Sequence, residues 1–179
     1  MAETLTLRLT AAKSSETARQ RLERLYRASR DDVYAYVATL LQDPSMAEDV
    51  TALAIERVFR RRRLFDARRG SERAWLFGIA RNAALDELRR RKRAAPFALV
   101  DSADSGANQG HDEAVVRRAT VERAMTGLSA RERELLALKF HAGLTNSEIA
   151  RVLGVSESNA GTLLHRSITK LRKACDAQL

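Results

Sequence analysis

The sequence predicts an all-α protein of two small helical domains joined by a flexible linker. Helix-forming Ala, Leu, Arg and Glu dominate its 179 residues, and there are only two prolines, Pro44 and Pro96. Apolar residues recur at helical spacing in two blocks. Between the blocks, from Ala94 to Val116, there is no Lys or Arg, and Pro96, Asp101, Ser102, Asp104, Ser105, Gly106, Asn108 and Gly110 cluster there. Such composition reads as a linker, placed at residues 95–111. Hydrophobic residues make up 45% of the chain, enough to form a core in each block.

The N-terminal block begins with a tail over residues 1–16 and becomes a domain over 17–94. Its first helix is expected from about Thr17 to Leu41, with Leu22, Leu25, Tyr26, Val33, Tyr36, Val37 and Leu40 facing inward. Asp43-Pro44 ends it. Ser45 and Glu48 then have the spacing of a capping box, opening a second helix that turns Val50, Leu53, Ala54 and Val58 to the core. Phe65 to Gly70 form a turn. Ser71 starts a third helix with Trp75, Leu76, Ile79, Ala83 and Leu88 on its apolar side. It ends in the run Arg89-Arg90-Arg91-Lys92-Arg93.

The C-terminal block, 112–179, repeats this grammar. A helix is expected over Asp112 to Met125. Ser129 and Glu132 cap the next, and Thr145 and Glu148 cap a third. Gly154 supplies a turn and Ser156 caps the last helix. Small Ala150, the turn glycine and Val155 at the corner make Thr145 to Arg172 a helix-turn-helix. The final helix puts Ala160, Leu163, Leu164, Ile168 and Leu171 on one face. Ser158, Asn159, Thr162, His165, Arg166, Thr169 and Lys173 lie on the other. That polar face suits a major-groove reader: Arg166 for guanine edges or phosphate, Asn159 for adenine, the hydroxyls for either. The helix N-terminus at Ser156 also favours a phosphate.

Charge placement supports a nucleic-acid partner. The chain carries 32 Lys+Arg against 23 Asp+Glu, a net +9. Residues Arg57 to Arg93 hold 14 Arg+Lys and 4 Asp+Glu, so this stretch is +10 and the remainder sums to −1. Clustered basic side chains neutralise phosphates. Aromatic and amide groups among them can hold unstacked bases. Phe65, Trp75, Phe77 and Asn82 are the candidates; Trp75 lies on the apolar face and reads as core, Phe77 fits either role, and Asn82 lies off that face beside Arg81. The bland alternative for the charge runs is a solvated helix end.

Taken together, these motifs resemble a bacterial sigma factor of the extracytoplasmic-function group within the sigma-70 family. The resemblance to region 2 rests on Ala47-Glu-Asp-Val50, Glu56-Arg-Val-Phe59, Phe65-Asp66, Arg73-Ala-Trp-Leu-Phe-Gly-Ile-Ala-Arg-Asn82 and Leu85-Asp-Glu-Leu-Arg-Arg90. The resemblance to region 4 rests on Leu128-Ser-Ala-Arg-Glu-Arg-Glu134 and the helix-turn-helix through His165-Arg166. It implies that Glu48, Asp49, Thr51 and Glu56 bind the β′ clamp helices of core RNA polymerase. It further implies that Phe65, Arg68, Arg69, Arg81, Asn82, Arg89 and Arg90 handle an opened −10 element. Ser156, Ser158, Asn159, Thr162, His165, Arg166 and Thr169 would read −35 DNA, with the C-terminal unit touching the β flap and the linker threading toward the active-site channel. An anti-sigma factor as regulator is a further implication. Thr51-Ala-Leu-Ala-Ile-Glu56 stands where the family usually has Gln-Glu-Thr/Ala-Phe.

Other classes fit less well. A stand-alone helix-turn-helix regulator would not need the Arg57–Arg93 block, and a sigma mimic that only titrates an inhibitor would not bind the clamp. His111, His141 and His165 show no spacing with Cys175 or a carboxylate pair that suggests a metal site or a triad, so no enzyme, catalytic residue, metal or cofactor is expected. A single cysteine excludes an internal disulfide. No apolar run reaches the ~18 residues of a membrane span, and the N-terminus lacks the apolar stretch of a signal peptide, so a cytoplasmic protein with no membrane insertion is expected.

Overall fold

The structure is a computed structural model describing the backbone of residues 2–94 and 113–177 and the side chains of residues 20–94 and 119–177. The linker expected at 95–111 lies outside the described residues. Among those residues there are seven α-helices and two 3₁₀ turns and no strand.

Helix α1 spans Ala2–Leu41. It starts fifteen residues earlier than the sequence reading placed it, over the residues assigned to a tail. The physical reason is the absence of any Gly or Pro before Pro44, so nothing in the backbone interrupts the helix. The end of α1 is sharp: Gln42 takes a positive φ of 52°, and its N–H bonds the Ala38 carbonyl at 2.8 Å.

Helix α2 spans Pro44–Arg61, and its N-cap is Asp43, whose carboxylate accepts from the Met46 N–H at 3.0 Å. The expected Ser45–Glu48 capping box therefore does not form. Proline is at home in the first helical turn, where its missing N–H has no partner to lose, and Asp43 is free to cap just before it. The cap pays a second role in tertiary structure, since Arg91 Nη2 reaches the other Asp43 oxygen at 2.7 Å. The buried stripe of α2 is Ala47, Val50, Thr51, Ala54 and Val58, while Leu53 is 38% exposed. Leu53 sits one residue, about 100° of helix rotation, from Ala54 and so leaves the stripe.

Two 3₁₀ turns, Arg62–Leu64 and Ala67–Arg69, carry the chain to α3, Glu72–Ala94. Ser71 caps α3 as expected, its Oγ accepting from the Ala74 N–H at 3.1 Å. Ala74, Leu76, Phe77, Ile79, Ala80, Ala83 and Ala84 are buried. The alanines let α3 lie close to α1 and α2. Phe77 is fully buried and packs edge-on against Tyr36, with ring centroids 5.5 Å apart, so it is core rather than a base platform.

The C-terminal unit follows the sequence closely. Helices α4 (Glu113–Thr126), α5 (Ala130–Phe140), α6 (Asn146–Leu153) and α7 (Glu157–Asp176) start at the expected caps where these are described. Both halves of the capping box form at Ser129/Glu132 and at Thr145/Glu148. The two units also touch: α1 packs on α5 and α3 on α6, and their buried apolar residues form one continuous cluster.

Gly154 has φ 67° and ψ 36°, and a methyl added there would meet nothing within 4 Å. Its substitution cost is thus purely conformational. We expect Gly154→Ala to destabilise the protein by about 1 kcal/mol. Gly78, inside α3 and equally uncrowded, should behave oppositely, with Gly78→Ala stabilising by about 0.5–1 kcal/mol. Chemical denaturation of the two variants checks the pair, and shifts of the same sign would contradict it.

Candidate nucleic-acid interface

The C-terminal surface is built around the corner between α6 and α7. Gly154 and Val155 close the end of α6 through N–H bonds to the Arg151 and Ala150 carbonyls at 3.3 and 3.0 Å. Ser156 then caps α7, its Oγ accepting from the Asn159 N–H at 3.2 Å. Ala160, Leu164 and Ser167 are buried beneath α7, with Leu163, Ile168 and Leu171 partly so. This fixes the roll of the helix. Ser156, Ser158, Asn159, Thr162, His165, Arg166 and Thr169 all come out exposed, as the sequence reading expected of the DNA-facing residues. Thr162 and Thr169 donate to the carbonyls of Ser158 and His165 at 3.0 and 2.9 Å, leaving their oxygens as acceptors.

One carboxylate ties α7 to the start of α5. Glu132 closes the Ser129 capping box and also receives Lys170 Nζ at 2.9 Å. The Ser129 backbone N–H is the main cause that holds its carboxyl far below the usual range, at about 2, with Lys170 next.

The basic block divides into free and engaged residues. Phe65 is half-buried and leans on Trp75 at 5.6 Å. Asp66 caps the second 3₁₀ turn by accepting from the Arg68 N–H at 3.0 Å, which presents Arg68 and Arg69 outward. Asn82 is exposed. Arg89 and Arg90 are exposed and hold Asp86 and Glu87 one turn back on α3 at 3.2 and 2.7 Å. Such exposed pairs contribute little and yield readily to a phosphate. Arg81 differs. Its Nε donates to Glu134 of α5 at 2.6 Å, with 19% and 8% of the two side chains exposed. Arg131 engages the other Glu134 oxygen at 2.9 Å.

On α2, Glu48, Asp49 and Glu56 are exposed, the last paired with Arg60 at 2.7 Å. Thr51 is not part of that surface. It is buried on the inner stripe, one turn from Ala47 and Ala54, and its hydroxyl has no hydrogen-bond partner among the described residues. The family resemblance placed it with its acidic neighbours, from which it is separated in angle around the helix.

Arg73 and Glu134 were passed over as functional residues. Arg73 is a four-way junction. It donates to Ser29 Oγ at 2.9 Å, Asp32 Oδ2 at 2.5 Å, and the carbonyls of Ala142 and His141 at 2.5 and 3.1 Å. It also lies over the Phe77 ring at 5.3 Å. The available signal for Glu134 was a carboxylate flanked by the buried run Leu135 to Leu138. Among the described residues no group of His, Cys, Asp and Glu could hold a metal ion. No helix there is long and apolar enough to cross a membrane.

Comparison with known proteins gives this geometry its family. Residues 25–94 match Sigma-70 region 2, and residues 118–171 match Sigma-70 region 4. The sigma factor SigX of Bacillus subtilis is 30% identical over 157 residues, covering 83% of this chain and 80% of SigX. The chain belongs to the extracytoplasmic-function sigma factors of the sigma-70 family. SigL of Mycobacterium tuberculosis is 28% identical over 92% of this chain and 93% of its own length. Two solved structures share the fold of this sigma factor. The sigma factor RpoE of Bartonella quintana, in complex with the anti-sigma factor NepR, has a TM-score of 0.72 at 19% identity, covering 88% of this chain and 98% of its own. CnrH, in complex with the cytosolic domain of CnrY, has a TM-score of 0.64 at 21% identity, covering 96% and 98%. As a sigma factor the protein directs transcription and is not an enzyme.

The Glu132 junction gives a prediction with a definite sign. Its folded carboxyl is depressed from the ordinary 4.5 to about 2, so the stability it confers is present above pH 4.5 and is lost as pH falls toward 2. In Glu132→Gln this part of the acid dependence should vanish. Denaturation midpoints between pH 5 and 2 measure it. A variant whose acid limb is as steep as wild type would show that the carboxylate is not depressed.

Proposed function

We propose that this sigma factor joins core RNA polymerase and directs promoter-specific initiation through two DNA-reading ends. The functional units are residues 17–94 and 112–179. The outer face of α7 reads duplex −35 DNA, with Arg166 and Asn159 as the base-edge readers and Ser156, Ser158, Thr162, His165 and Thr169 around them. The loop from Phe65 to Glu72, with Arg68, Arg69, Asn82, Arg89, Arg90 and, when released, Arg81, melts and holds the −10 strand. Glu48, Asp49 and Glu56 contact the β′ clamp helices, and the C-terminal unit touches the β flap. The protein works in the cytoplasm, and an anti-sigma factor restrains it, a reading supported by the complex of the Bartonella quintana RpoE with the anti-sigma factor NepR.

The observation that carries this reading is the pairing of an exposed polar face on a buried-backed recognition helix with a separate basic surface, in a chain of the sigma-70 family. Polymerase would hold the two in register. Base contacts from one helix are few, so duplex binding by the chain alone should be weak.

Run-off transcription with core enzyme over a genomic template library tests the function. Added protein should produce promoter-specific transcripts that are absent with core enzyme alone. On a promoter so found, Arg166→Ala should cut the transcript about tenfold or more at limiting protein, the loss of one good base contact. Asn82→Ala should reduce open-complex formation while sparing −35 occupancy. Failure of every template to respond would refute the sigma reading, and tight sequence-specific binding by the chain without polymerase would favour a stand-alone regulator.

A further inference from the structure

Leu64 is 74% exposed, more than any other large apolar side chain among the described residues. A single exposed apolar residue is ordinary on a protein surface. What distinguishes Leu64 is its company and its footing. It closes the 3₁₀ turn Arg62–Leu64, at the entrance to the loop proposed for the −10 strand. Arg60, Arg61, Arg63, Arg68 and Arg69, its neighbours in the chain, are all exposed. Arg60 pairs with Glu56 of its own helix at 2.7 Å, an exposed bond that yields readily to a phosphate. Asp66 is the one carboxylate between Arg57 and Ser71, and it is turned to cap the Arg68 N–H at 3.0 Å. The turn beneath Leu64 is pinned. Arg62 Nη1 donates to the Phe59 carbonyl at 2.9 Å, and the Phe65 N–H donates to the Arg62 carbonyl at 3.4 Å. The aromatic residues nearby are committed elsewhere: Phe65 leans on Trp75 at 5.6 Å, and Phe77 is fully buried.

We infer that Leu64 is an apolar wedge that enters the base stack at the edge of the −10 element and promotes strand opening, rather than holding the strand once it is open. The faces of stacked bases cover one another in a duplex, and opening uncovers the last face at the fork. A leucine laid against that face takes two apolar surfaces out of water together. Leucine is one of the apolar side chains that proteins insert between base steps, partly unstacking them. The arginines around it draw in phosphates and supply no apolar cover of their own. Their charge is what favours a polyanion over a protein surface as the group that buries Leu64. Leu64 has no polar side-chain atom and so reads no base edge. Its action is indifferent to sequence, and reading is left to Asn82 and the arginines. The wedge and the holder of the opened strand are then separate parts of one loop region.

This inference rests on the assignment of the loop to −10 DNA, and the test separates the two. Holoenzyme is assembled from core polymerase and the full chain on a promoter mapped by run-off transcription. Permanganate reactivity of unpaired thymines follows opening, and footprinting follows −35 occupancy. Leu64→Ser removes the wedge, and Leu64→Met keeps an apolar side chain of similar length. The site is exposed, so neither change disturbs the core. Leu64→Ser should open the duplex promoter about tenfold more slowly at unchanged −35 occupancy, the loss of one buried leucine. On a template mismatched across the −10 element it should match wild type, because nothing is left to open. Leu64→Met should stay within about twofold of wild type on both templates. Full-rate opening of the duplex by Leu64→Ser would overturn the wedge. An equal defect on the mismatched template would also overturn it, by making Leu64 a holder of the strand. Weaker competition of Leu64→Ser for core polymerase, with lost −35 occupancy, would overturn it by making Leu64 a protein contact. Arg68→Ala/Arg69→Ala examines the loop separately. Normal opening by that variant would remove the loop from −10 DNA, whereas a defect there beside full activity in Leu64→Ser would sink the wedge alone.

Discussion

The packing of Tyr36 on Phe77 governs both the interior of this sigma factor and the surface it shows. The two rings are fully buried and meet edge-on, tying α1 to α3 at the centre of the N-terminal bundle. Such aromatic pairs contribute about 0.5–1.5 kcal/mol beyond the area they bury. Their larger effect is orientational. With Phe77 inward, Arg73 one turn earlier lies over its ring, and Arg81 one turn later faces α5. Burial pushes the Tyr36 hydroxyl well above the usual phenol range, and the nearby Glu134 carboxylate reinforces the shift. One ring pair therefore sits under the whole polar seam between the units.

That seam makes the two surfaces proposed to meet DNA unequal. The recognition helix is held from below by apolar contacts and from the side by Glu132 and Lys170, so its outer face does not depend on the other unit. The surface proposed for the −10 strand is split. Among the described residues Arg89 and Arg90 are tied to carboxylates on their own helix, and these bonds are solvent-screened. Arg81 is tied to a buried carboxylate contributed from 53 residues away. In a low-dielectric setting, removing either member of such a pair is costly because the other charge is left without its partner. The pair therefore acts as a discrete link, made or broken, rather than as a diffuse attraction.

Local chemistry was legible in the sequence, and long-range pairing was not. Ser129/Glu132, Thr145/Glu148, Ser156 and Gly154 could be read because each feature is complete within four residues. The corner of the helix-turn-helix and the exposed face of α7 followed from them. Errors arose where two local signals competed. Asp43-Pro44 and Ser45–Glu48 both marked the start of α2, and the first won because it satisfies the proline as well as the N-terminal N–H groups. Leu53 was misplaced because residue type was weighed above angular position, and Thr51 because it was carried over from the family resemblance: the stripe through Ala47, Val50, Ala54 and Val58 puts Thr51 inside and Leu53 toward solvent. Phe77 could not be decided between core and base platform without knowing that Tyr36 lies opposite. The roles of Arg73 and Glu134 depend on partners 41 to 69 residues distant and left almost no local trace.

The proposed function needs the two units to part when core polymerase holds one on −35 and the other on −10 DNA, whereas in the free chain α5 packs on α1 and α6 on α3. The most direct measurement is the distance between the units in the free chain and in the polymerase-bound chain. Spin labels at Ser45→Cys and Thr126→Cys, both exposed sites, in a Cys175→Ala background would report it by pulsed dipolar spectroscopy. The free chain should give one narrow, short distance, replaced by a longer one when core polymerase is added. The same short distance in both samples would contradict the account.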